Sequence, residues 1–465
     1  MQPELLALSK VSQKPFGFYF LNALILFLII YVQFQNILGV PIKETMPQVS
    51  KLVFLLDKVL IFSLFMVFIY VRFLGSLLTS KKHATKKGLS FVAPLKSELI
   101  LFTSLIIFGL WCLISAIVNQ NNLEPTIFGV FSYMAYFLVF FVFSSIPYKK
   151  DIIKNNYQLL LKLALFLSLI SISQEILALV YPVSANWWPN IQSGSAMWRM
   201  GLYRAPSLLG HPNGIGMFAL FFWTVEVARV KEDGLKTNLR RLVILGLAIL
   251  FSFSRSAIAA AFIVPFLVSS RLRKITIYFI PVIVLAGMLF YPYFKEAKAK
   301  DATNIFNYGR YRNFALEKSL TIWKDNPIFG VGPGMYGGHI SLRFNSPIYA
   351  RYGFTGPFYD YLSKRVGSIE QQWVQVLAEI GIVGLLLLVA LIFTPYFILK
   401  RLLRAETTPF FKALEIGLMV MSFQMCLRMM SVTLTQQQEW LIPYFAFIGM
   451  LVGTQRRTKS KRYAN

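Results

Sequence analysis

Hydrophobic residues occur along this chain in long blocks, separated by short polar stretches, and not in the alternating or one-faced patterns of a soluble domain. A block of about 20 apolar residues is long enough to cross a membrane as a helix. The pattern predicts about twelve spans, at 16–40, 52–75, 98–118, 127–146, 163–182, 208–228, 242–253, 256–270, 275–292, 372–397, 413–431 and 438–453. The sequence therefore predicts an all-α fold, a polytopic membrane bundle.

One long polar segment, residues 293–371, interrupts the blocks. It divides the chain into residues 1–292, with nine predicted spans, and residues 372–465, with three spans and a basic tail. The segment includes an amphipathic stretch from Arg312 to Asp325 and a glycine cluster from Phe329 to Gly338. We expect it to form one large, mostly helical external loop.

The charge of the chain follows the predicted topology. Its net charge is +27, which on a soluble protein would suggest nucleic-acid binding. With the N-terminus inside, the short inner loops carry 28 lysines and arginines and the short outer loops carry 5. This asymmetry follows the positive-inside rule. We therefore expect both termini in the cytoplasm and no nucleic-acid partner.

Cysteine and histidine are too few and too scattered to suggest metal or disulfide chemistry. Both cysteines, Cys112 and Cys426, lie in apolar blocks, and the three histidines form no HxxxH pair. The first apolar block is too long for a signal peptide and is interpreted as a spanning helix.

The stretch LGHPNG, residues 209–214, stands at the outer mouth of the sixth span, with Arg204 just upstream. Pro212 and Asn213 both favour a helix start, and for Pro212 that explanation is sufficient. An outward-facing helix N-terminus offers free N–H groups to an anion. Arg204, His211 and Asn213 are therefore candidates for an anion site.

Two further arginines oppose the charge gradient. Arg255 lies in SFSRSA, between the two short spans, which are compatible with one helix broken at Ser254, Arg255 and Ser256. A charge at membrane depth costs about 2.5 to 3.5 kcal/mol on insertion scales, so Arg255 is predicted to be functional. The alternative is a structural role, in which the Arg255 side chain snorkels to the outer interface or pairs with Glu175 or Glu226. For Arg428, near the outer end of the eleventh span, substrate binding and snorkelling are equally good explanations.

The long loop carries the remaining candidates. Arg310 and Arg312 begin its helical part, and glycines such as Gly332 and Gly334 permit either a phosphate cradle or a tight loop against the membrane face. Glu370 and Gln371 end the loop. A carboxylate near arginines is either a general base or an ion-pair partner. Together, the outer arginines suit a pyrophosphate or another polyanion.

Four segments in this order resemble the superfamily of O-antigen ligases and Wzy-type polysaccharide polymerases. They are YRAPSLLGHPNGIGMFA, LAILFSFSRSAIAA, GRYRNFALEKSLTIWKDNPIFGVGPGMY and EQQWVQVLAEIGIVG. The first is similar to the family's Arg followed by Gly-(His/Asn)-Pro-Asn, and the second to its Ser-Arg-(small) break. The third is similar to the loop segment ending in Asp-x-Pro-x-x-Gly-x-Gly, and the fourth to a block ending in Gly-x-x-Gly. The resemblance covers roughly residues 200–390.

The resemblance implies a membrane glycosyltransferase of surface-polysaccharide biosynthesis, in the plasma (inner) membrane. Such enzymes move a glycan from undecaprenyl pyrophosphate to an acceptor hydroxyl at the outer face. No cofactor or metal is implied, because the pyrophosphate lipid is the leaving group. Arg204 and Arg255, with Arg310 or Arg312 less directly, would hold the pyrophosphate. Membrane lipid, a flippase and a chain-length regulator are the implied partners.

The fourth segment departs from the ligases, which open it with a histidine where this chain has Glu370. Glu370 could serve as the base instead, with His211 and His339 in reserve. The departure favours a polymerase over a ligase. A membrane transporter, for example of bicarbonate, would need paired broken helices and inverted repeats, whereas the sequence suggests one break. A non-catalytic scaffold would tolerate the loss of Arg255.

Overall fold

The computed structural model describes residues 22–24, 26–35, 46–69, 95–180, 198–199, 202–268, 311, 313–354, 359, 362, 369, 371–429 and 438–464. The helices among them are α1 (Pro47–Ile69), α2 (Lys96–Val118), α3 (Leu123–Ser144), α4 (Lys150–Val180), α5 (Pro212–Asp233), α6 (Leu235–Phe251), α7 (Arg255–Val268), α8 (His339–Arg343), α9 (Pro347–Arg351), α10 (Gln372–Leu403), α11 (Pro409–Arg428) and α12 (Gln438–Ala464). Residues 26–35 and 313–325 are also helical. One short antiparallel pair joins β1 (Trp198–Arg199) to β2 (Leu202–Tyr203).

The all-α prediction is confirmed for the described part of the chain. Every predicted span except 275–292, which lies outside the described residues, coincides with helical residues. By length and composition, five described helices can cross a membrane: α2, α3, α4, α10 and α11. The chain is therefore a helical membrane protein, while the total of twelve spans stays a prediction.

Helix α5 lies at the centre of the bundle. It packs against α4, α6, α7, α11 and α12, and the successive residues Phe218, Ala219, Leu220 and Phe221, which point to all sides of the helix, are fully buried. A helix that is apolar on every side is expected in a protein interior. The LGHPNG mouth at its N-terminus consequently lies among other helix ends.

Three of the loops predicted to be cytoplasmic meet at one end of the bundle. Lys150 forms a 2.7 Å salt bridge with Glu406, which joins the loop before α4 to the loop before α11. The Arg229 guanidinium, near the C-terminal end of α5, lies 5.6 Å from the centre of the Phe410 ring. The grouping of these basic loops agrees with the predicted topology.

The same end contains a buried ionic cluster around Glu226. Its carboxylate accepts a 2.8 Å hydrogen bond from the Tyr157 hydroxyl. It also forms salt bridges of 2.9 Å with Arg229 and 3.1 Å with Arg241. Glu226 is therefore neutralised locally, and the suggested pairing of Glu226 with Arg255 is wrong.

Helix α10 is broken at Gly381, whose backbone angles are φ 68° and ψ −172°. Such a break removes intrahelical partners from nearby amides and carbonyls, which must then be satisfied by other protein groups when they are buried at membrane depth. Residues 327–338, here called the strap, supply them. The Pro327 carbonyl accepts from the Ile382 amide at 3.0 Å, and the Val331 amide donates to the Ala378 carbonyl at 2.9 Å.

Side chains of α2 donate hydrogen bonds to the remaining backbone carbonyls of the break and of the strap. The Trp111 indole donates to the Ile380 carbonyl at 3.0 Å, and its ring stacks on Phe329 with centroids 5.1 Å apart. The Ser115 hydroxyl and the Asn119 amide donate to strap carbonyls, those of Phe329 and Gly330, at 2.6 and 2.9 Å. The strap is thus fixed between α2 and the break in α10.

Glycines allow the close approach of the two backbones. A Cβ on Gly381 would stand 2.0 Å from the Ile328 carbonyl oxygen, and one on Gly330 would stand 2.4 Å from the Glu379 carbonyl carbon. Both glycines also have positive φ, at 68° and 66°. The Gly-x-Gly segment and the Gly-x-x-Gly segment of the sequence are therefore the two sides of one contact.

The described residues 311–354 form a small, mostly helical unit next to the strap. Its core is aromatic, with Tyr336, Tyr349 and Phe354 in mutual ring contact. Burial raises the pKa of Tyr336 and Tyr349, so both hydroxyls stay protonated. The helical character expected of the long loop holds for these residues, and its external position stays a prediction.

Gly381→Ala should destabilise the protein by about 2 to 6 kcal/mol, because the added methyl group combines a positive-φ strain with a backbone clash. The check is the midpoint of thermal unfolding of detergent-purified protein. Gly246→Ala is the matched control, because that helical glycine lies in α6 and its Cβ would meet only Trp223 Nε1 at 3.5 Å. Equal unfolding midpoints for the two variants would contradict this description of the break.

Candidate functional site

The LGHPNG stretch forms the predicted helix start. His211 caps α5, with Nδ1 accepting a 2.9 Å hydrogen bond from the Asn213 amide. This bond requires Nδ1 to be unprotonated. The Asn213 side-chain oxygen accepts a 3.0 Å hydrogen bond from Arg204 Nη2. The structure therefore brings together the three residues that the sequence grouped at this mouth.

Arg204 also connects the mouth to the break between α6 and α7. Its Nε donates to the Ser252 carbonyl at 3.3 Å. Helix α5 can come this close because Gly216 has no side chain. A Cβ at this position would stand only 2.5 Å from Ser252 Oγ. Phe253 within the break has φ 45°, an unusual and costly conformation for an aromatic residue. The predicted break is therefore present, but it spans residues 252–254, two residues before the predicted position, and Arg255 and Ser256 already belong to α7.

Arg255 is the first residue of α7 and is exposed. Among the described residues it has no ion pair, and Glu226 forms its salt bridges with Arg229 and Arg241 instead. The pairing alternatives for Arg255 are therefore not realised. Its charge remains accessible beside the α7 N-terminus, where an anion is favoured.

Arg428 is one of the most deeply buried side chains of the described structure, with 2% exposure. Its Nη1 donates a 2.5 Å hydrogen bond to Ser256 Oγ, in the first turn of α7. Snorkelling to a lipid interface therefore does not explain this arginine. It lies inside the protein, next to the residue that follows Arg255.

The sequence analysis missed Glu439, a carboxylate in the first turn of α12. It is 9% exposed and interacts electrostatically with Arg428. Its Oε1 stands 3.5 Å from the position of a Cβ on Gly214, so it faces the start of α5. The sequence signal was a charged residue at the start of the predicted last span, at the same predicted membrane face as the candidate arginines.

The start of α10 adjoins the end of α11. The Trp373 amide donates to the Met429 carbonyl at 3.4 Å, and the Trp373 indole donates to the Cys426 carbonyl at 3.0 Å. Gln371, the N-cap of α10, is half-buried here. Glu370, its neighbour and the candidate base, lies outside the described residues, as do Arg310 and Arg312.

The strap glycines are occupied by structural contacts. The Gly332 amide donates to the Glu379 main-chain carbonyl at 2.7 Å. A Cβ on Gly334 would stand 2.4 Å from the Pro125 carbonyl oxygen at the start of α3. Of the two alternatives left open by the sequence, these contacts favour the tight loop over the phosphate cradle. His339, a reserve base, begins α8 in the neighbouring unit.

Five helix ends thus converge: the starts of α5, α7, α10 and α12 and the end of α11. Arg204, Arg255 and Arg428 lie among them, with one described carboxylate, Glu439. This arrangement suits a polyanion with at least two phosphate groups. Arg204 and Arg428 are fixed by hydrogen bonds, Arg255 is exposed, and the N-termini of α5 and α7 add partial positive charge.

Ser256→Ala should lower the stability of the protein by about 1 to 3 kcal/mol, because a buried guanidinium N–H would lose its acceptor. The measurement is thermal unfolding in detergent. Ser104→Ala is the control, because that exposed hydroxyl only bonds back to the Ile100 carbonyl of its own helix. If the two alanine variants unfold at the same temperature, the contact between Arg428 and Ser256 does not contribute to stability.

Comparison with known protein families gives a match for the central part of the chain. Residues 242–389 match the family model of the O-antigen ligases, Wzy_C. The match runs from α6 through α7 and the strap to the first half of α10, and thereby includes three of the four segments that carry the resemblance. No curated protein matches the chain. The resemblance found in the sequence is confirmed for this part of the chain: residues 242–389 form a domain of the O-antigen ligase family.

Proposed function

We propose that this protein is a membrane glycosyltransferase that takes a glycan from an undecaprenyl-pyrophosphate carrier and joins it to an acceptor hydroxyl, acting as a polymerase of surface polysaccharide. The observation that carries the proposal is the convergence of Arg204, Arg255 and Arg428 on the starts of α5 and α7. The reaction takes place at the outer face of the plasma membrane, opposite the end where the basic loops meet.

The arginines bind the pyrophosphate and stabilise its departure. Arg204 is held by Asn213 and by the Ser252 carbonyl at the break, so its guanidinium is oriented before the donor arrives. Arg255 is exposed at the edge of the same site, where a lipid-linked anion can reach it. Oriented donors that meet growing negative charge are the strongest common source of rate acceleration.

The transfer is a displacement at the anomeric carbon. The acceptor oxygen forms a bond to that carbon, and the bond from the carbon to the pyrophosphate oxygen breaks, with the electron pair leaving on the phosphate. Glu370 accepts the proton of the acceptor hydroxyl. Its neighbours support this role, since Trp373 connects the start of α10 to the end of α11, where Arg428 lies.

The choice of polymerase over ligase rests on Glu370, which stands where the ligases of this superfamily carry a histidine. A transporter would be favoured by paired broken helices, and the structure does contain a second break, at Gly381. The strap fills that break with protein hydrogen bonds, however, so it contributes no open ion or substrate pathway. The enzyme therefore remains the better-supported function.

Purified protein should convert its lipid-linked repeat unit into a ladder of longer products without added metal or nucleotide. Arg204→Ala and Arg255→Ala should each lower the rate at least about 100-fold, because each removes positive charge from the leaving group. Arg401→Ala is the control, because that exposed arginine ends α10 at the opposite side of the bundle. Products resolved by gel give the measurement.

Other outcomes would change the assignment. Single transfer that requires an added lipid or protein acceptor would identify a ligase. No consumption of donor under either condition would contradict the glycosyltransferase proposal. A rate for Arg255→Ala equal to that of Arg401→Ala would contradict the assigned leaving-group site.

Glu370→Gln should lower turnover at least about 100-fold at every pH tested, because the amide keeps the size of the side chain and cannot accept the proton. Glu317→Gln is the matched control, an exposed glutamate on the helix 313–325. The measurement is the initial rate of ladder formation. Equal rates for the two variants would exclude Glu370 as the base.

A further inference from the structure

We propose that Glu379 is a positioning residue of the transfer reaction: its buried carboxylate fixes the strap to the first half of α10 and so holds residues 369–373, which include Glu370 and Gln371, in the site. The catalytic part of this proposal rests on the proposed function. Its structural part, the anchoring of residues 369–373, does not.

The Glu379 carboxylate is surrounded by donors. It is 1% exposed, and Oε1 accepts a 2.9 Å hydrogen bond from the Tyr336 amide. Oε2 accepts from the Tyr133 hydroxyl and, at 3.5 Å, from Gln375 Nε2. A carboxylate can accept on both oxygens, which matches these donors.

Glu379 thereby joins three separate elements. Tyr133 lies on α3, Tyr336 lies in the strap, and Glu379 itself stands two residues before the break at Gly381. Among the described residues, no cation pairs with this carboxylate. A buried carboxyl group without a counter-ion is tolerated only where hydrogen bonds replace its lost hydration, and the Tyr336 amide and the Tyr133 hydroxyl provide them here.

The strap transmits this anchoring to the candidate site. The Gly337 carbonyl, next to Tyr336, accepts a 2.9 Å hydrogen bond from the Ile369 amide. Four residues later, the Trp373 amide donates to the Met429 carbonyl at 3.4 Å. Gln371 lies between these two fixed points, held from one side by the strap and from the other by α11. Glu370 lies outside the described residues and is the neighbour of Ile369 and Gln371 in the sequence.

The approach of the strap leaves little room for adjustment. A Cβ on Gly337 would stand 3.0 Å from Ile369 Cδ1 and 2.9 Å from Gln375 Cγ. Gln375 in turn donates to Glu379. Displacement of the strap would therefore move Ile369 directly, and a shift of about 1 Å at a reacting group can cost about 100-fold in rate.

Substitutions at Glu379 should have graded effects. Leucine cannot accept, so Glu379→Leu leaves the Tyr336 amide and the Tyr133 hydroxyl without this acceptor. Glutamine keeps one oxygen for the Tyr336 amide, and its NH₂ group can donate to the Tyr133 hydroxyl, which can accept as well as donate. Glu379→Gln should therefore keep most of the anchoring. The comparison of glutamine with leucine separates the effect of the hydrogen bonds from that of filling the space.

The experiment compares Glu379→Leu, Glu379→Gln and Tyr133→Phe with wild type. Glu415→Leu is the matched control, because that carboxylate is also buried in a helix, with 2% exposure, and lies in α11 away from the strap. Hydrogen–deuterium exchange is measured for peptides covering 327–338 and 369–376. Transfer kinetics are measured on the same preparations with the lipid-linked repeat unit.

We expect Glu379→Leu to increase exchange in both peptides and to lower kcat about 100-fold, with little change in the KM of the donor. Tyr133→Phe should have a smaller effect in the same direction, and it replaces Glu379→Leu if that variant does not fold. Glu379→Gln and Glu415→Leu should resemble wild type. Unchanged exchange of residues 369–376 in Glu379→Leu would overturn the anchoring, and increased exchange with unchanged kcat would overturn the role in the reaction.

Failure of the proposed function gives a different result. If the wild-type protein transfers no glycan, both the proposed reaction and the role of Glu379 in it are wrong. The exchange comparison still decides whether Glu379 anchors residues 369–376.

Discussion

A broken helix in an apolar environment must find new partners for its backbone groups, and this requirement organises the matched domain of the protein. At Gly381 the strap supplies the carbonyl of Pro327 and the amide of Val331, while α2 supplies Trp111. An unsatisfied amide or carbonyl at membrane depth would cost several kcal/mol, so the strap and the break are interdependent. The strap is consequently part of the helical bundle and not an appendage to it.

The break between α6 and α7 is not filled in this way and instead gathers charged side chains. Between α6 and α7 the chain brings one serine carbonyl to Arg204 and exposes Arg255, while Ser256 accepts a hydrogen bond from Arg428. Charge concentrates here because helix ends converge, and each N-terminus adds a partial positive charge. One break is therefore filled by protein groups, whereas the other gathers the arginines that we propose bind the pyrophosphate.

The sequence predicted those features that depend on local pattern. Apolar blocks gave the helices, and LGHPNG gave the start of α5 together with its contact to Arg204, since nine residues separate Arg204 from Asn213. The contact between Gly330 and Gly381 could not be predicted, because no periodicity relates two glycines 51 positions apart. The burial of Arg428 and the place of Glu439 were missed for the same reason. Helix ends far apart in the chain meet only in the folded protein.

The most direct test of the central claim is an electron cryo-microscopy structure of the protein in lipid nanodiscs with undecaprenyl pyrophosphate bound. The account predicts density for the two phosphates between Arg204 and Arg255, at the starts of α5 and α7, with the strap unchanged on α10. Phosphate density against the strap glycines, or at the opposite end beside Lys150 and Arg229, would contradict it.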